Sequence, residues 1–511
     1  MASFIERAIA AVAPRRAASR AAARVATKFL WRQYDAARAS RPTWGWLAGS
    51  TSANAEIYGG LLTLRNRARD LVRNNPHAAK ALRVLTNNSV GTGIDAQART
   101  PDAQLNAKID ALWKRFMAEC DFGGQLDLGG IQRLAVRAML EGGETICRLR
   151  PDPDRRLAVP LTLQLLEGDY LDHRRNGETE TGRLHQGVEF DRNGKRAAYY
   201  LFREHPGDAP FAIPQSYASD RIPAAAVIHL YEVLRIGQIR GVPWFTPGMV
   251  KARELDTYEE AELVRKRIEA CVAAIVMGAD DEEEQKIAPT VTDAAGNQVE
   301  QFEPGLIAYA RGTKDIRFTA PAQNGSYSQY KRSQLMTIAA AWDMTYELLS
   351  GDLSQTNYSS IKAGLNEFRR SVEVLQWLTF VPMFLGPVWR AFIDFAVLAG
   401  KLPQATPYDV EFTTPKFESV DPVKDTAGDI AAVRALLMAP QEAIRRRGYD
   451  PSRVLADAKA WHEALEAAAI VSDADAAQTA KPGAATPKGQ EGGEPSEVVE
   501  KPAAGDEVTA P

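Results

Sequence analysis

The sequence predicts an α+β fold that is mainly helical, and three observations carry that prediction. Leu335, Ile338, Ala339, Trp342, Tyr346 and Leu349, and again Ile361, Leu365, Phe368, Val372 and Leu375, recur at helical spacing. From 160 to 232 the apolar runs are short, β-branched or alternating, and Asn193-Gly194 between Phe190 and Tyr199 is a hairpin signal. At 511 residues the chain exceeds what one core fills, so several sub-domains are expected. The chain is organised around Ser326 to Trp389, where two helices frame a polar run from Ser350 to Tyr358. In an arbitrary chain such a run is a surface connection between helices.

Composition narrows the class. With 45% apolar and 25% charged residues this is an ordinary soluble globular chain. A formal net charge of −3 gives no global field for gripping nucleic acid. Cys120, Cys147 and Cys271 are too few and too scattered for a disulfide framework or a zinc cluster, so they read as buried thiols. No secretory signal is visible. The most apolar run, Val374 to Trp389, is 16 residues long and holds Pro382 and Pro387. A bilayer needs about 20 residues, so it reads as a core segment.

In order, residues 1–50 are rich in alanine and arginine, with only Glu6 and Asp35 as acids. That composition suits a basic arm touching nucleic acid, an acidic membrane or a partner, and equally a solvated arm or an organelle transit peptide. Order is expected from about Thr51, then an arginine-rich segment from Leu64 to Pro76 and an apolar helix from Ala78 to Leu85. Asn87 to Ile94 closes that helix with two glycines, a poor match to a dinucleotide loop. Leu105–Cys120 and Leu128–Met139 read as helices. Ile146–Leu149, Leu161–Leu166, Ala197–Phe202 and Val227–Tyr231 read as strands of an α+β lobe.

Pro247 to Cys271 reads as a long helix with Leu255, Tyr258, Ala261, Val264, Ile268 and Cys271 on one face, spanning roughly 37 Å. Glu262–Lys266 and Arg265–Glu269 are its expected ion pairs. Val272–Val276 and Gly305–Tyr309 are strand-like, with a hairpin expected at Ala295-Gly296-Asn297. The run Asp280, Asp281, Glu282, Glu283, Glu284 reads as a solvated segment, because a metal site needs carboxylates at fixed geometry. Phe392–Leu398, Asp421–Ala439 and Gln441–Ala468 continue helical, the last broken at Gly448 to Pro451. Residues 471–511 lack large apolar side chains and are expected to be disordered.

Several pieces, in this order, make the chain resemble the lambda-type phage portal family. They are Asn54 to Glu56, the Leu64–Asn75 segment, Val90-Gly91-Thr92-Gly93-Ile94 and Trp113. Glu141-Gly142-Gly143-Glu144, Leu165-Leu166-Glu167-Gly168-Asp169 and Gly187-Val188-Glu189-Phe190-Asp191 follow, then Arg240-Gly241-Val242-Pro243, and Val420-Asp421-Pro422 with Lys424. The resemblance runs from about 52 to 470. It implies a portal fold with wing, stem, clip and crown regions, in which about twelve copies of the chain form a ring at one capsid vertex. Double-stranded DNA passes through that ring without sequence specificity.

By order, the resemblance assigns 51–246 to the wing, 247–271 to a stem helix, 272–325 to the clip and 326–349 to the returning stem helix. It assigns 350–358 to a tunnel loop, 359–385 to a long wing helix and 386–470 to crown helices. The loop Ser350, Gly351, Asp352, Leu353, Ser354, Gln355, Thr356, Asn357, Tyr358 would then touch passing DNA. It holds no base and one acid, so it would not add salt-dependent affinity for phosphate. Tyr358 and Leu353 are expected to brace its ends. Asp280 to Glu284 of the clip would meet the packaging motor. The implied partners are the large terminase subunit, the major capsid and scaffold proteins and a head-completion adaptor, with no membrane. The implied location is the virion, with the host cytoplasm during assembly.

No catalytic, cofactor or metal site is read from the residues. The six histidines show no ligand spacing, and neither a G-x-S-x-G elbow nor a P-loop occurs. Glu141 and Glu144 around two glycines read as a helix-to-strand turn, not as an acid/base pair. The chain therefore reads as structural and not as an enzyme. The competing class is a DNA-acting assembly enzyme, a nuclease or terminase subunit, which would need clustered carboxylates and a nucleotide loop. A sequence-specific DNA regulator would need a basic recognition helix, and residues 1–50 show no helix-turn-helix pattern.

Overall fold

A computed structural model describes residues 49–470 except 155, 181, 209–217, 279–289, 293–297, 301–305, 312–314, 318–326 and 418–420, and beyond them 472, 479–481 and 484–485. The basic arm up to residue 48, the acidic run Asp280–Glu284 and most of the tail therefore lie outside the described residues. Residues 1–56 and 57–511 are separate compact units.

Helix α1 (Ala53–Asn74) is followed directly by α2 (Pro76–Val90). The Asn75 side chain accepts the Ala78 amide at 2.8 Å, and Pro76 fills a first-turn position that needs no N–H. α2 runs past the expected stop at Leu85. Asn88 and Ser89 return hydrogen bonds to the carbonyls of Val84 and Leu85, and Gly91 at φ 55 ends the helix. Strand β1 (Asp95–Ala98) precedes α3 (Ala103–Glu119) and α4 (Leu128–Gly142), which start at the N-caps Asp102 and Asp127.

Strands β2 (Glu144–Pro151) and β3 (Leu161–Glu167) then form a hairpin. A five-stranded antiparallel meander follows: β4 (Gly177–Thr179), β5 (Gly182–His185), β6 (Val188–Asp191), β7 (Arg196–Phe202) and β8 (Ser219–Pro223). The expected Asn193-Gly194 turn joins β6 to β7, with Gly194 at φ 81. β9 (Val227–Tyr231) returns to pair with β2, giving the order β3-β2-β9.

Helix α5 (Met249–Cys271) leaves this lobe. Of its expected apolar stripe Leu255 is buried and Val264 is half exposed, while the Ile268 and Cys271 side chains lie outside the described set. Glu262 pairs with Arg265, at 2.9 Å to Nε, one residue before the expected Lys266, whose charge also helps hold the Glu262 carboxyl down. The expected Arg265–Glu269 pair cannot be placed on this helix, because the Glu269 side chain lies outside the described set. β10 (Val272–Gly278) follows α5 without a gap, and the short β11 (Thr290–Thr292) and β12 (Gln298–Glu300) bracket the expected hairpin position. β13 (Leu306–Arg311) runs parallel to β10 and β14 (Asp315–Arg317) antiparallel to it, in the order β13-β10-β14.

The helix expected from Ser326 to Leu349 is two helices, α6 (Tyr327–Ala341) and α7 (Tyr346–Ser350). Asp343 takes φ 56, Met344 returns its amide to the Ala339 carbonyl at 3.0 Å, and Thr345 caps α7. The break is anchored. The Trp342 indole donates to the Phe245 carbonyl at 3.1 Å, and the Trp244 indole donates to the Trp342 carbonyl at 3.0 Å.

Helix α8 (Tyr358–Val374) continues through a π-helical stretch, Leu375–Leu385, into α9 (Gly386–Leu398). The prolines do not interrupt it. Pro382 sits in the wider π turn, and Pro387 lies where the π stretch passes into α9, so each removes one backbone donor without breaking the helix. The resulting 40-residue helix, Ser359–Leu398, is long and apolar enough to cross a membrane, so the length argument from the sequence fails. What identifies it as a core helix is burial: Phe380, Phe384, Val388, Trp389 and Phe392 are each at most 1% exposed. Trp113 of α3 meets Trp389 and Phe392 edge-on at 4.9 and 5.0 Å. Buried Gln376 donates to the Ser89 carbonyl at 2.7 Å, tying the π stretch to the end of α2.

The segment 386–470, read as helices alone, also contains β15 (Val410–Thr413). It pairs antiparallel with β1, Asp95 opposite Thr413. Helices α10 (Pro422–Arg434), α11 (Pro440–Arg446) and α12 (Pro451–Ala467) follow, and of their residues only Pro451 and Leu465 are buried. In the tail expected to be without structure, β16 (Thr479–Lys481) pairs with β17 (Ala484–Ala485).

Candidate functional site

The loop between α7 and α8 is braced by its own polar side chains. Ser350 ends α7 and donates to the Tyr346 carbonyl at 2.8 Å, and Gly351 takes φ 78 as its C-cap. Asp352 accepts the Tyr346 hydroxyl and the Ser354 amide, both at 3.0 Å. Hydrogen bonds from Ser354 and Tyr346 hold its carboxyl below the usual range. Thr356 donates to the Leu353 carbonyl at 2.8 Å, and Asn357 with Ser360 forms a capping box that starts α8.

This corrects the expected division of labour. Tyr346, one turn before the loop, braces it, and Leu353 is 59% exposed, so it is not an anchor. The side chain of Tyr358 is outside the described set. Ser354 and Gln355 are exposed beside Leu353 at the tip. No base occurs within the loop, but two stand at its base. Arg332 lies 4.9 Å over the Tyr346 ring, and a Cβ on Gly351 would stand 2.6 Å from Lys80 Nζ.

A second assembly was missed in the sequence. Glu144, fully buried at the start of β2, accepts Arg65 Nη2 at 2.7 Å, Arg240 Nε at 2.9 Å, the Gly241 amide at 3.0 Å and His229 Nε2 at 3.0 Å. Arg240 Nη2 also reaches it. Arg240 donates further to the carbonyls of Gln186 at 3.1 Å and Gly168 at 3.2 Å, and Arg65 to that of Gly142 at 3.0 Å. Asp169 lies 3.3 Å from Arg65, and Arg69 bridges Asp169 and Glu167 at 2.6 and 2.5 Å. α1, α4, β2, β9 and the turns after β3 and β5 are thus fastened at one point.

The electrostatics follow from burial and pairing. Burial pushes the Glu144 carboxyl up, but Arg240, the His229 hydrogen bond and Arg65 outweigh it and hold it well below the carboxylate range. Burial drives His229 down to about 4, against the pull of Glu144, so the ring is neutral and its Nε2–H donates. Glycines make the close approach possible. A Cβ on Gly143, at φ 90, would fall 2.7 Å from the Val242 backbone, and one on Gly168 would fall 2.5 Å from Glu144 Cγ. Glu141, the other acid of the motif, pairs with Arg137 at 3.6 Å and does not join Glu144.

Among the described residues, Glu167, Asp169 and His205 bring potential ligand atoms within 4.8 Å of one another. Arg69 already sits between the two carboxylates, so the group is an ion-paired cluster. The motifs around Arg65, Glu144, Asp169, Gly187 and Arg240, separated by up to 175 residues in sequence, meet at one place.

These features define an α+β protein in which clustered charge fastens elements together while a polar loop is held out between helices. The family model for phage portal protein, lambda family, matches residues 39–376. A probable portal protein of Halomonas phage phiHAP-1 is 28% identical over 455 residues, covering 83% of this chain and 85% of the relative. The portal protein of Escherichia phage N15 is 26% identical, covering 63% and 67%, and portal protein B of Escherichia phage lambda is 24% identical, covering 63% and 66%. Among solved structures, the neck of an empty gene transfer agent particle computed with C6 symmetry matches at TM-score 0.42 and 14% identity, covering 77% of this chain and 94% of that one. The virion of the native particle matches at 0.40 and 13%, with the same coverage. The chain belongs to the lambda family of phage portal proteins.

Proposed function

We propose that about twelve copies of this chain form a ring at one capsid vertex, through which duplex DNA enters and leaves and on which the terminase and head-completion proteins dock. In this reading residues 350–358 line the tunnel, 272–325 form the outer clip, α5 and α6 form the stem, and 386–470 form the crown. The observation that carries it, beyond family membership, is the α7–α8 loop. It is rigidly braced, contains no base, and presents Leu353, Ser354 and Gln355 to solvent. Such a rim meets a sliding polyanion without the counterion release that would hold it.

The structure also selects the variant for testing this. Asp352 is a brace of the loop, so replacing it perturbs loop geometry as well as charge. Gln355 is exposed at the tip. Gln355→Arg is expected to leave particle mass unchanged and to lower the yield of DNA-filled heads at least tenfold. Full heads at wild-type yield would remove the loop from the tunnel. The acidic run Asp280–Glu284 remains a proposed motor contact, tested by neutralising all five residues and measuring terminase binding.

A further inference from the structure

The loop Glu232–Gln238 holds apolar side chains in water on a rigid mount. Val233, Leu234 and Ile236 are 54%, 62% and 105% exposed. Buried Gln238 fixes the loop: its Oε1 accepts the amides of Leu234 at 2.8 Å and Arg235 at 3.1 Å, and its Nε2 donates to the carbonyls of Glu232 at 3.2 Å and Arg240 at 2.8 Å. The Tyr231 hydroxyl donates to the Gln238 carbonyl at 3.0 Å, and Arg196 reaches that hydroxyl. Two residues on, Arg240 is locked to Glu144. A loop fixed this firmly is pre-organised for contact, since little entropy is lost when its tip is covered. At its root Glu232 is partly buried near Asp343, and neither has a cation partner among the described residues. Burial pushes the Glu232 carboxyl up, and Asp343 adds to it.

The same chain carries a surface of complementary chemistry. On the solvent face of α8 and the π stretch, Val374, Trp377 and Leu378 are 51%, 46% and 71% exposed. Arg370, one turn before Val374, is 77% exposed, and its nearest acid, Glu367, is 3.9 Å away and as exposed. Further along the same helix Arg390 and Asp394 are exposed, Asp394 accepting the Tyr408 hydroxyl. Both signs of charge therefore flank the stripe along this helix, which suits a protein surface, whereas a membrane-facing helix carries basic and aromatic borders. Two different complementary patches on one chain make a head-to-tail contact, which closes into a ring when the rotation allows.

We propose that the Val233–Ile236 loop of one copy docks on the Val374–Trp377–Leu378 stripe of a second copy, bringing Arg370 of that copy beside Glu232 and Asp343. This rests on the ring reading above. The test uses the full chain with a benzoylphenylalanine photo-crosslinker at Leu234, mixed with isotope-labelled chains that lack it, and locates the linked peptide by mass spectrometry. Crosslinks to the peptide holding Trp377 and Leu378, on labelled chains, are expected. Leu234→Glu with Ile236→Glu is expected to cut the assembled fraction at least tenfold while circular dichroism stays unchanged, because both side chains are exposed in the single chain. Crosslinks within one chain, crosslinks elsewhere, or, in place of crosslinks, a tryptophan emission shift on anionic vesicles that Trp377→Phe abolishes would overturn the docking. Normal assembly of the Glu variant would overturn it while leaving the ring intact. A wild-type chain that stays single would overturn the ring reading as well.

Discussion

Glu144 shows how much of the α+β lobe depends on one carboxylate. It neutralises Arg65 and Arg240 in a place water does not reach, so removing its charge leaves two guanidinium groups facing each other and only Asp169 near one of them. Glu144→Gln is therefore expected to destabilise the chain by about 3–5 kcal/mol, read as a lowered denaturation midpoint. His229 makes a second, pH-dependent prediction. Its folded pKa, about 4, lies below the ordinary 6.5, so the unfolded chain takes up the proton first. Its contribution is complete above about pH 6.5 and is lost as pH falls toward 4, with a slope of at most about 1.4 kcal/mol per pH unit. Glu144 has a depressed pKa as well, and its contribution is lost only at lower pH still, as the carboxylate is protonated. Denaturant titrations from pH 7.5 to 5 should show the slope in wild type and a flatter line in His229→Gln.

At the scale of elements, the α7–α8 connection depends on its caps. The Asn357 side chain accepts the Ser360 amide, so Asn357→Ala is expected to cost about 1 kcal/mol and to speed hydrogen exchange at Ser360. Much of the element order was legible because it rests on local signals. Periodicity announced α3, α4, α5 and α8, and Asn193-Gly194 announced the β6–β7 hairpin. What was not legible depended on distant partners. The break at Asp343 follows from Trp342 being tied to Phe245, almost a hundred residues earlier, while the apolar spacing runs on unbroken. Prolines 382 and 387 counted against a long apolar span, and the π geometry that admits Pro382 within the helix leaves no sequence signature. β15 was hidden because its reason is β1, more than three hundred residues away. The loop was found by its polarity, but Asp352 bonding back to Tyr346 was invisible. Arg65, Glu144, Asp169 and Arg240 were each noticed inside separate motifs, and only folding makes them one cluster.

For the whole molecule, what a single chain leaves uncovered matters as much as what it buries. α10 and α11 bury no side chain and α12 buries two, while Val423, Leu437, Leu455 and Trp461 are 79%, 83%, 72% and 64% exposed. The α5 stripe at Ala261 and Val264 and the Trp377 face are open as well. Surfaces of this extent on a folded chain suit association, and the proposed ring would supply further copies as their cover. The measurement that bears most directly on this is the particle mass of the full chain under assembly conditions, by native mass spectrometry or light scattering. The account predicts a closed species of about twelve copies, on the order of half a megadalton or more. A single species at the chain mass of 56.0 kDa under every condition would contradict it.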